Sequence, residues 1–293
     1  MLEGKIIKGV GGFYYVETAD REIYTCRARG VFRNIEKTPL VGDNVKIRIS
    51  DEKDMEGYVE EILERKNQLL RPPIANIDQI VIIFALKNPK PNLWLLDKFL
   101  IQAEAQELDI TVCLNKSDLV KEEKAQETAE IYRKAGYRVI LSSVEEKRGI
   151  DEIKEIMKDR TTAVAGPSGV GKSTLLNEIQ PGLELETGDV SRKTARGRHT
   201  TRHSELHELD FGGFVFDTPG FSSLELDFLD EDSLEDYFIE IGERSENCRF
   251  RGCRHNKEPG CAVKEAVESG EISKERYENY LMFLKDIMER NVY

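Results

Sequence analysis

The sequence predicts a multi-domain protein with an N-terminal β-barrel, an α/β core built on a parallel sheet, and a small, mainly helical C-terminal domain. Three observations carry this. Short β-branched and aromatic segments, punctuated by glycine, follow one another through residues 1–70. From about Ile74 onward, apolar strands alternate with helical stretches. Near the C-terminus, three cysteines and one histidine fall between Cys248 and Cys261.

In the first region, residues 6–10, 13–18 and 22–27 read as strands separated by Gly11-Gly12 and Ala19-Asp20, and 45–49 and 58–63 add two more. About five strands in so short a stretch suit a small barrel, with the OB-fold as the candidate architecture. In the second region, 80–86 is a continuous apolar run, as expected of a parallel strand covered on both faces. Leu96, Phe99, Leu100 and Ala103 recur at helical spacing. Residues 110–114, 139–142 and 162–165 read as further strands, with helices expected over 122–134 and 150–158. Beyond Phe221 the chain turns acidic and then cysteine-rich. It ends in an amphipathic helix with Tyr277, Leu281, Leu284 and Met288 as its apolar stripe and Ser273 as its cap. The expected division is 1–70, 71–221 and 222–293.

Composition narrows the class. The 293 residues are 39% hydrophobic and 33% charged, which suits a globular chain rather than a disordered one. No apolar run approaches the ~18 residues needed to span a bilayer. The opening Met1-Leu2-Glu3-Gly4-Lys5 lacks the apolar core of a signal peptide, so a cytoplasmic protein without membrane attachment is expected. Five cysteines make a poor disulfide framework in that compartment, and Cys26 and Cys113 read as ordinary buried apolar residues. The net charge of −12 argues against a coat of positive potential. One basic segment stands out locally, Arg192-Lys193-Thr194-Ala195-Arg196-Gly197-Arg198-His199 with Arg202 beyond it. It suits either a solvated loop or contacts to nucleic-acid phosphates.

Gly166-Pro167-Ser168-Gly169-Val170-Gly171-Lys172-Ser173, followed by Thr174, fits the phosphate-loop pattern G-x-x-x-x-G-K-[ST]. A strand leads in and a helix over 173–179 leads out, as the chemistry requires. Glycines let backbone N–H groups curl around phosphate oxygens, and the helix N-terminus adds favourable partial charge. Lys172 would neutralise the β- and γ-phosphates, and the Ser173 hydroxyl would ligate Mg²⁺.

Asn115-Lys116-Ser117-Asp118 closes the strand over 110–114, at the carboxyl end where open parallel sheets bind ligands. Asp118 can accept hydrogen bonds from both N–H donors on a guanine edge, a donor pair that adenine lacks. Ser142 and Ser143 follow the next strand and can contact the base from its other side. Asp217-Thr218-Pro219-Gly220 closes the strand over 214–216. Asp217 would hold Mg²⁺ through water, and the Gly220 N–H would sense the γ-phosphate. A second Mg²⁺ ligand is expected on the intervening basic loop, where Thr200 and Thr201 are equal candidates.

Cys248, Cys253, His255 and Cys261 supply three thiolates and one imidazole, a donor set for a closed, structural tetrahedral Zn²⁺ site with one ion per chain. Arg244, Arg249, Arg251, Arg254 and Lys257 surround the cluster and suit an RNA-contacting surface.

Order is the diagnostic feature. The guanine-reading motif precedes the phosphate loop, whereas ordinary GTPases carry the loop first, so the core reads as a circularly permuted P-loop GTPase domain. Exposed, neighbouring termini make such rearrangement tolerable. At this point the chain resembles the ribosome small-subunit-dependent GTPase A family, circularly permuted GTPases that assist late maturation of the bacterial small ribosomal subunit. The resemblance rests on Asn115–Asp118, on 166–174, on Arg196-Gly197-Arg198-His199-Thr200-Thr201 and on 217–221. The cluster at 248–261 and Val41-Gly42-Asp43 in the barrel extend it over essentially the whole chain.

The resemblance implies an OB-fold barrel, a permuted GTPase domain and a zinc domain, acting as a monomer on the small subunit and its rRNA. It implies too that GTP favours attachment and that hydrolysis to GDP promotes release. Many GTPases place a water-orienting glutamine directly after D-x-x-G. Here Phe221 stands there, and the resemblance assigns that catalytic role to His199. Two other readings share part of the pattern. A P-loop ATPase or small-molecule kinase would keep Lys172 but lack the guanine reader. A GTP-sensing RNA-binding scaffold with little hydrolysis would fit Phe221.

Overall fold

A computed structural model describes residues 1–28, 32, 38–70, 73–183, 185, 205–217 and 226–290. The N-terminal strands are β1 (Leu2–Val10), β2 (Phe13–Thr18), β3 (Ile23–Ala28), β4 (Asn44–Asp51) and β5 (Glu56–Ile62). They close into a barrel in the order β1-β2-β3-β5-β4. β1 pairs antiparallel with both β2 and β4, and β3 runs parallel to β5, which is the connectivity expected of an OB-fold. Closure satisfies the strand edges that an open sheet would leave unpaired. Ile6, Val16, Tyr24, Cys26, Val45, Ile47 and Val59 fill the interior at period two. A buried carboxylate sits at the barrel's edge. Asp43 accepts hydrogen bonds from the Leu40 N–H (2.7 Å) and from the Arg65 guanidinium (2.7 and 2.8 Å), so its charge is fully compensated.

A two-stranded antiparallel ladder, β6 (Gln68–Leu70) and β7 (Pro73–Ala75), leads into the core. The core strands are β8 (Gln79–Ala85), β9 (Asp109–Asn115), β10 (Arg138–Leu141), β11 (Thr161–Ala165), β12 (Leu206–Glu208) and β13 (Phe214–Asp217). Among the described residues they form one sheet in the order β10-β9-β8-β11-β13-β12. β10/β9 and β11/β13 are parallel pairs, and the short β12 runs antiparallel to β13. Every residue of β8 is buried, which explains its unbroken apolar run. The core helices are α1 (Leu93–Glu104), α2 (Glu122–Lys134), α3 (Ile150–Met157) and α4 (Lys172–Ile179). Asn92 caps α1 by accepting from the Leu95 N–H (3.1 Å). In α2, Glu122 and Glu123 sit in the first turn and Arg133 and Lys134 in the last, complementing the helix dipole. The sequence-expected strands and helices match these elements to within a few residues. β6, β7 and β12 were not anticipated, because three residues carry too little periodicity to read.

The C-terminal region holds a 3₁₀ turn over Leu234–Tyr237 and the helices α5 (Ile239–Ser245), α6 (Ala262–Glu268) and α7 (Lys274–Arg290). The chain divides into two compact units. One comprises Met1–Ile80, Lys154–Ala165 and Gln180–Ser222; the other comprises Val81–Ile153, Gly166–Ile179 and Ser223–Tyr293. Among the described residues, no helix is long and apolar enough to cross a membrane.

The expected apolar stripe of α7 needs correction. The buried face is Arg276, Tyr280, Phe283, Leu284 and Ile287, while Tyr277 and Leu281 are only half-buried and Met288 is exposed. The helix is rotated because Arg276, which a hydrophobic pattern assigns to solvent, lies in the core. Its guanidinium makes a two-pronged contact with Glu240 (2.7 and 3.0 Å) and a 2.8 Å bond to Asp97, itself bonded by Asn279 (2.6 Å). It also stacks 4.3 Å from the Phe238 ring centre. Burial opposes the charge on Arg276, but Asp97 and Glu240 outweigh it and hold its pKa well above the ordinary value. Trp94 stacks on Phe283 at 5.1 Å between ring centres, so α1 and α7 share one core.

Removing one member of this triad strands a buried charge. Arg276→Ala should lower unfolding free energy by about 3–5 kcal/mol. Replacing all three together by Arg276→Met, Asp97→Leu and Glu240→Leu should cost far less. Urea unfolding of the two variants checks this.

Candidate functional site

The phosphate loop leaves the carboxyl end of β11 and turns into α4. Its backbone path is possible only with glycine at two points. At Gly166 (φ +140°) a Cβ would lie 2.1 Å from the Ile83 carbonyl oxygen. At Gly171 (φ +94°) it would lie 2.7 Å from Asn115 Nδ2. Val170 is buried and anchors the loop from below. The Lys172 ammonium donates to the carbonyls of Gly166 (2.9 Å) and Pro167 (2.8 Å), which holds the charge inside the loop it must serve. Ser173 and Thr174 occupy the first turn of α4, at the positive end of its dipole.

The Asn115–Asp118 segment leaves β9 and is bonded to this loop. Asn115 is buried and donates from Nδ2 to the Val170 carbonyl at 2.9 Å. Its Oδ1 accepts from the Ser142 hydroxyl at 3.0 Å, which fixes the orientation of the amide. Behind it, Ser142 Oγ lies 3.1 Å from the sulfur of Cys113, whose thiol is pushed up to about 12 by burial and is therefore an inert packing group. Lys116 adopts a left-handed conformation (φ 58°, ψ 40°) that costs a β-carbon residue about 1–2 kcal/mol. Its ammonium returns that cost by donating to the carbonyls of Gly169 (2.7 Å) and Asn88. Asn88, on the loop after β8, is a member of the site that no motif flagged.

Ser117 is buried with its hydroxyl unpartnered among the described residues, and a 3₁₀ turn over Ser117–Leu119 presents Asp118. The Ser143 hydroxyl donates to Asp118 Oδ1 at 2.5 Å and accepts from the Glu146 N–H at 3.2 Å, so one carboxylate oxygen is fixed in place. Ser143 is positioned in turn by a bridge to Arg148, whose guanidinium grips Glu122 at 2.6 and 2.8 Å. That grip holds the Glu122 carboxyl down to about 2.

The structure thus brings together Asn115, Lys116, Ser117, Asp118, Ser142, Ser143 and the loop Gly166 to Thr174. Asp217 ends β13, and of it only the backbone is described. His199, Thr200, Thr201, Gly220 and the basic segment around them lie outside the described residues.

A second cluster lies in the C-terminal region. The ligand atoms of Cys248, Cys253, His255 and Cys261 all fall within 4.8 Å of one another. Cys248 Sγ is 3.9 Å from Cys261 Sγ, and His255 Nδ1 is 3.6 Å from the first and 3.4 Å from the second. Four donors on one tetrahedral ion at ordinary Zn–S and Zn–N lengths would stand about 3.8 Å (S to S) and about 3.6 Å (N to S) apart. The donor set therefore fits and can hold a metal ion. Burial pushes the Cys253 thiol up to about 12 and raises that of Cys261, so a bound cation must deprotonate them.

The fold, with the 166–174 loop bonded to Asn115 and Lys116, is that of a circularly permuted GTPase. A family model described as RsgA GTPase matches residues 62–227, and one described as the RsgA N-terminal domain matches 3–59. The small ribosomal subunit biogenesis GTPase RsgA of Alkaliphilus metalliredigens is 48% identical over 293 residues, covering 100% of both chains. Its namesake from Clostridium novyi is 49% identical over 288 residues, covering 98% of each. Among solved structures, YloQ, described as a circularly permuted GTPase, superposes with a TM-score of 0.82 at 44% identity, covering 99% of this chain and 96% of its own. YjeQ from Thermotoga maritima superposes with a TM-score of 0.83 at 38% identity, covering 98% of each. The chain belongs to the RsgA GTPase family, and it is a GTP-hydrolysing enzyme.

Gly171→Ala tests the geometry of the site. The added methyl meets Asn115 Nδ2 and strains the loop by about 1–3 kcal/mol. GTP affinity should fall roughly ten- to a hundred-fold in a fluorescent-nucleotide titration, with the circular dichroism spectrum unchanged.

Proposed function

We propose that this chain hydrolyses GTP on the small ribosomal subunit during its late maturation, with hydrolysis coupled to release. The observation that carries the nucleotide chemistry is the pair of bonds from Asn115 to Val170 and from Lys116 to Gly169. The subunit comes from the relatives, which are named small ribosomal subunit biogenesis GTPases.

In this reading Asp118 accepts from the two guanine N–H donors, and Ser143 holds its carboxylate in plane. Lys172 exchanges its loop carbonyls for β- and γ-phosphate oxygens. Ser173, Asp217 and either Thr200 or Thr201 would hold Mg²⁺, which when bound neutralises charge on the phosphates. The Gly220 N–H senses the γ-phosphate. With Phe221 in the glutamine position, His199 orients the water that attacks the γ-phosphorus. We assign residues 1–70, 71–221 and 222–293 to barrel, GTPase and metal-binding parts, in a cytoplasmic monomer.

RNA contact is assigned to both appendages. On the barrel, cross-strand register lines up Phe13, Arg27, Tyr58 and Arg48 in one exposed row. Arg27 lies 4.7 Å over the Phe13 ring and Arg48 5.3 Å over the Tyr58 ring. Alternating aromatic and guanidinium planes suit unpaired bases and phosphates of rRNA. On the C-terminal domain, Arg249 and the exposed Phe250 repeat the pairing at 5.4 Å. The metal is assigned as one structural Zn²⁺, since three thiolates with one imidazole favour that ion and leave no position for water.

Three measurements test this reading. His199→Ala should keep GTP affinity while turnover stimulated by isolated small subunits drops at least a hundred-fold; unchanged turnover would remove His199 from the chemistry. Stimulation should weaken steeply with salt, as phosphate contacts demand, and no stimulation at any salt would leave the scaffold reading in its place. Native mass spectrometry should find about one Zn²⁺ per chain. Its affinity should rise with pH by at least about tenfold per unit below the thiol range, because binding expels thiol protons.

A further inference from the structure

His255 is gripped at both ends by residues outside the ligand set. Its Nδ1 faces the thiols, while its Nε2 lies 2.8 Å from Glu235 Oε2. Its carbonyl, at a residue with φ +57°, accepts from the Tyr277 hydroxyl at 2.6 Å. The ring is fully buried and packs 5.9 Å from that of Tyr280. The other oxygen of Glu235 lies 3.3 Å from the Ser245 hydroxyl, which steadies the carboxylate.

We propose that Glu235 is a positioning residue of the metal centre: it accepts the Nε2–H of His255 and so fixes the tautomer whose Nδ1 lone pair faces the ion. This rests on the zinc assignment above. A neutral imidazole carries one N–H, and whichever nitrogen holds it cannot bind metal. A carboxylate at Nε2 holds the proton there and leaves the Nδ1 lone pair to the metal. Tyr277 does the same for the backbone, holding His255 in a left-handed conformation that few side chains adopt.

Glu235 sits in the 3₁₀ turn Leu234–Tyr237, on the stretch of chain that follows Asp217-Thr218-Pro219-Gly220. Metal occupancy and the seating of this turn are therefore linked: whatever lifts Glu235 from His255 weakens metal binding, and metal binding opposes that lifting by the same factor.

The test uses the full-length chain with Zn²⁺ as the probe. In wild-type protein carrying ¹⁵N-labelled histidine, the zinc-loaded His255 should show a slowly exchanging Nε2–H with Nδ1 on the metal. Glu235→Ala should lower Zn²⁺ affinity about 10- to 100-fold in chelator competition. Its helical circular dichroism at saturating zinc should match wild type. Glu235→Gln, which keeps an acceptor at the same place, should recover most of the loss. Metal on Nε2, an unchanged affinity in the alanine variant, or a glutamine variant as weak as alanine would each overturn the proposal. Wild-type protein that binds no zinc would instead remove the metal assignment beneath it, a result distinct from a zinc-loaded protein that ignores Glu235.

Discussion

The site depends on a bond between two stretches of chain that are far apart in sequence: the Asn115 amide on the Val170 carbonyl, reinforced by Lys116 on Gly169. In the proposed reading these two stretches hold the base and the phosphates of one nucleotide, whose span bounds the separation they must keep. Hydrogen bonds between the two supply that separation directly. The order in which the chain visits them then does not matter, which is why a permuted sequence keeps the chemistry. The same constraint accounts for Gly171, since any side chain there would occupy the place of the Asn115 amide.

Two buried polar assemblies organise the second compact unit. Arg276 with Asp97 and Glu240 ties α7 and α5 to α1 through fully desolvated charge. Such triads contribute little net stability compared with apolar residues of similar volume, but a broken one is costly, so they specify one packing and penalise the alternatives. The Cys₃His cluster acts in the same way on a segment with little apolar core of its own, between α5 and α6. A domain built like this presents its arginines from a stiff support.

Much of this was legible in the sequence, for reasons that differ by level. The phosphate loop, Asn115–Asp118 and the Cys/His cluster were readable because their chemistry dictates residue type at fixed spacing. The strands of the core were readable because burial on both faces imposes continuous apolar runs, as in β8. The phase of α7 was not, because its buried face includes an arginine whose partners, Asp97 and Glu240, are remote in sequence. Asn88 and Glu235 were hidden for the same reason: each contributes through a contact that no local pattern encodes. The barrel's aromatic–arginine row emerges only from strand register, which alternation alone does not set.

The most direct test is a crystal structure with a non-hydrolysable GTP analogue and Mg²⁺. Both oxygens of Asp118 should lie within hydrogen-bonding distance of the guanine N1 and N2 donors, and the Lys172 ammonium should contact β- and γ-phosphate oxygens. A nucleobase remote from Asp118, or a triphosphate that bypasses Lys172, would contradict the account.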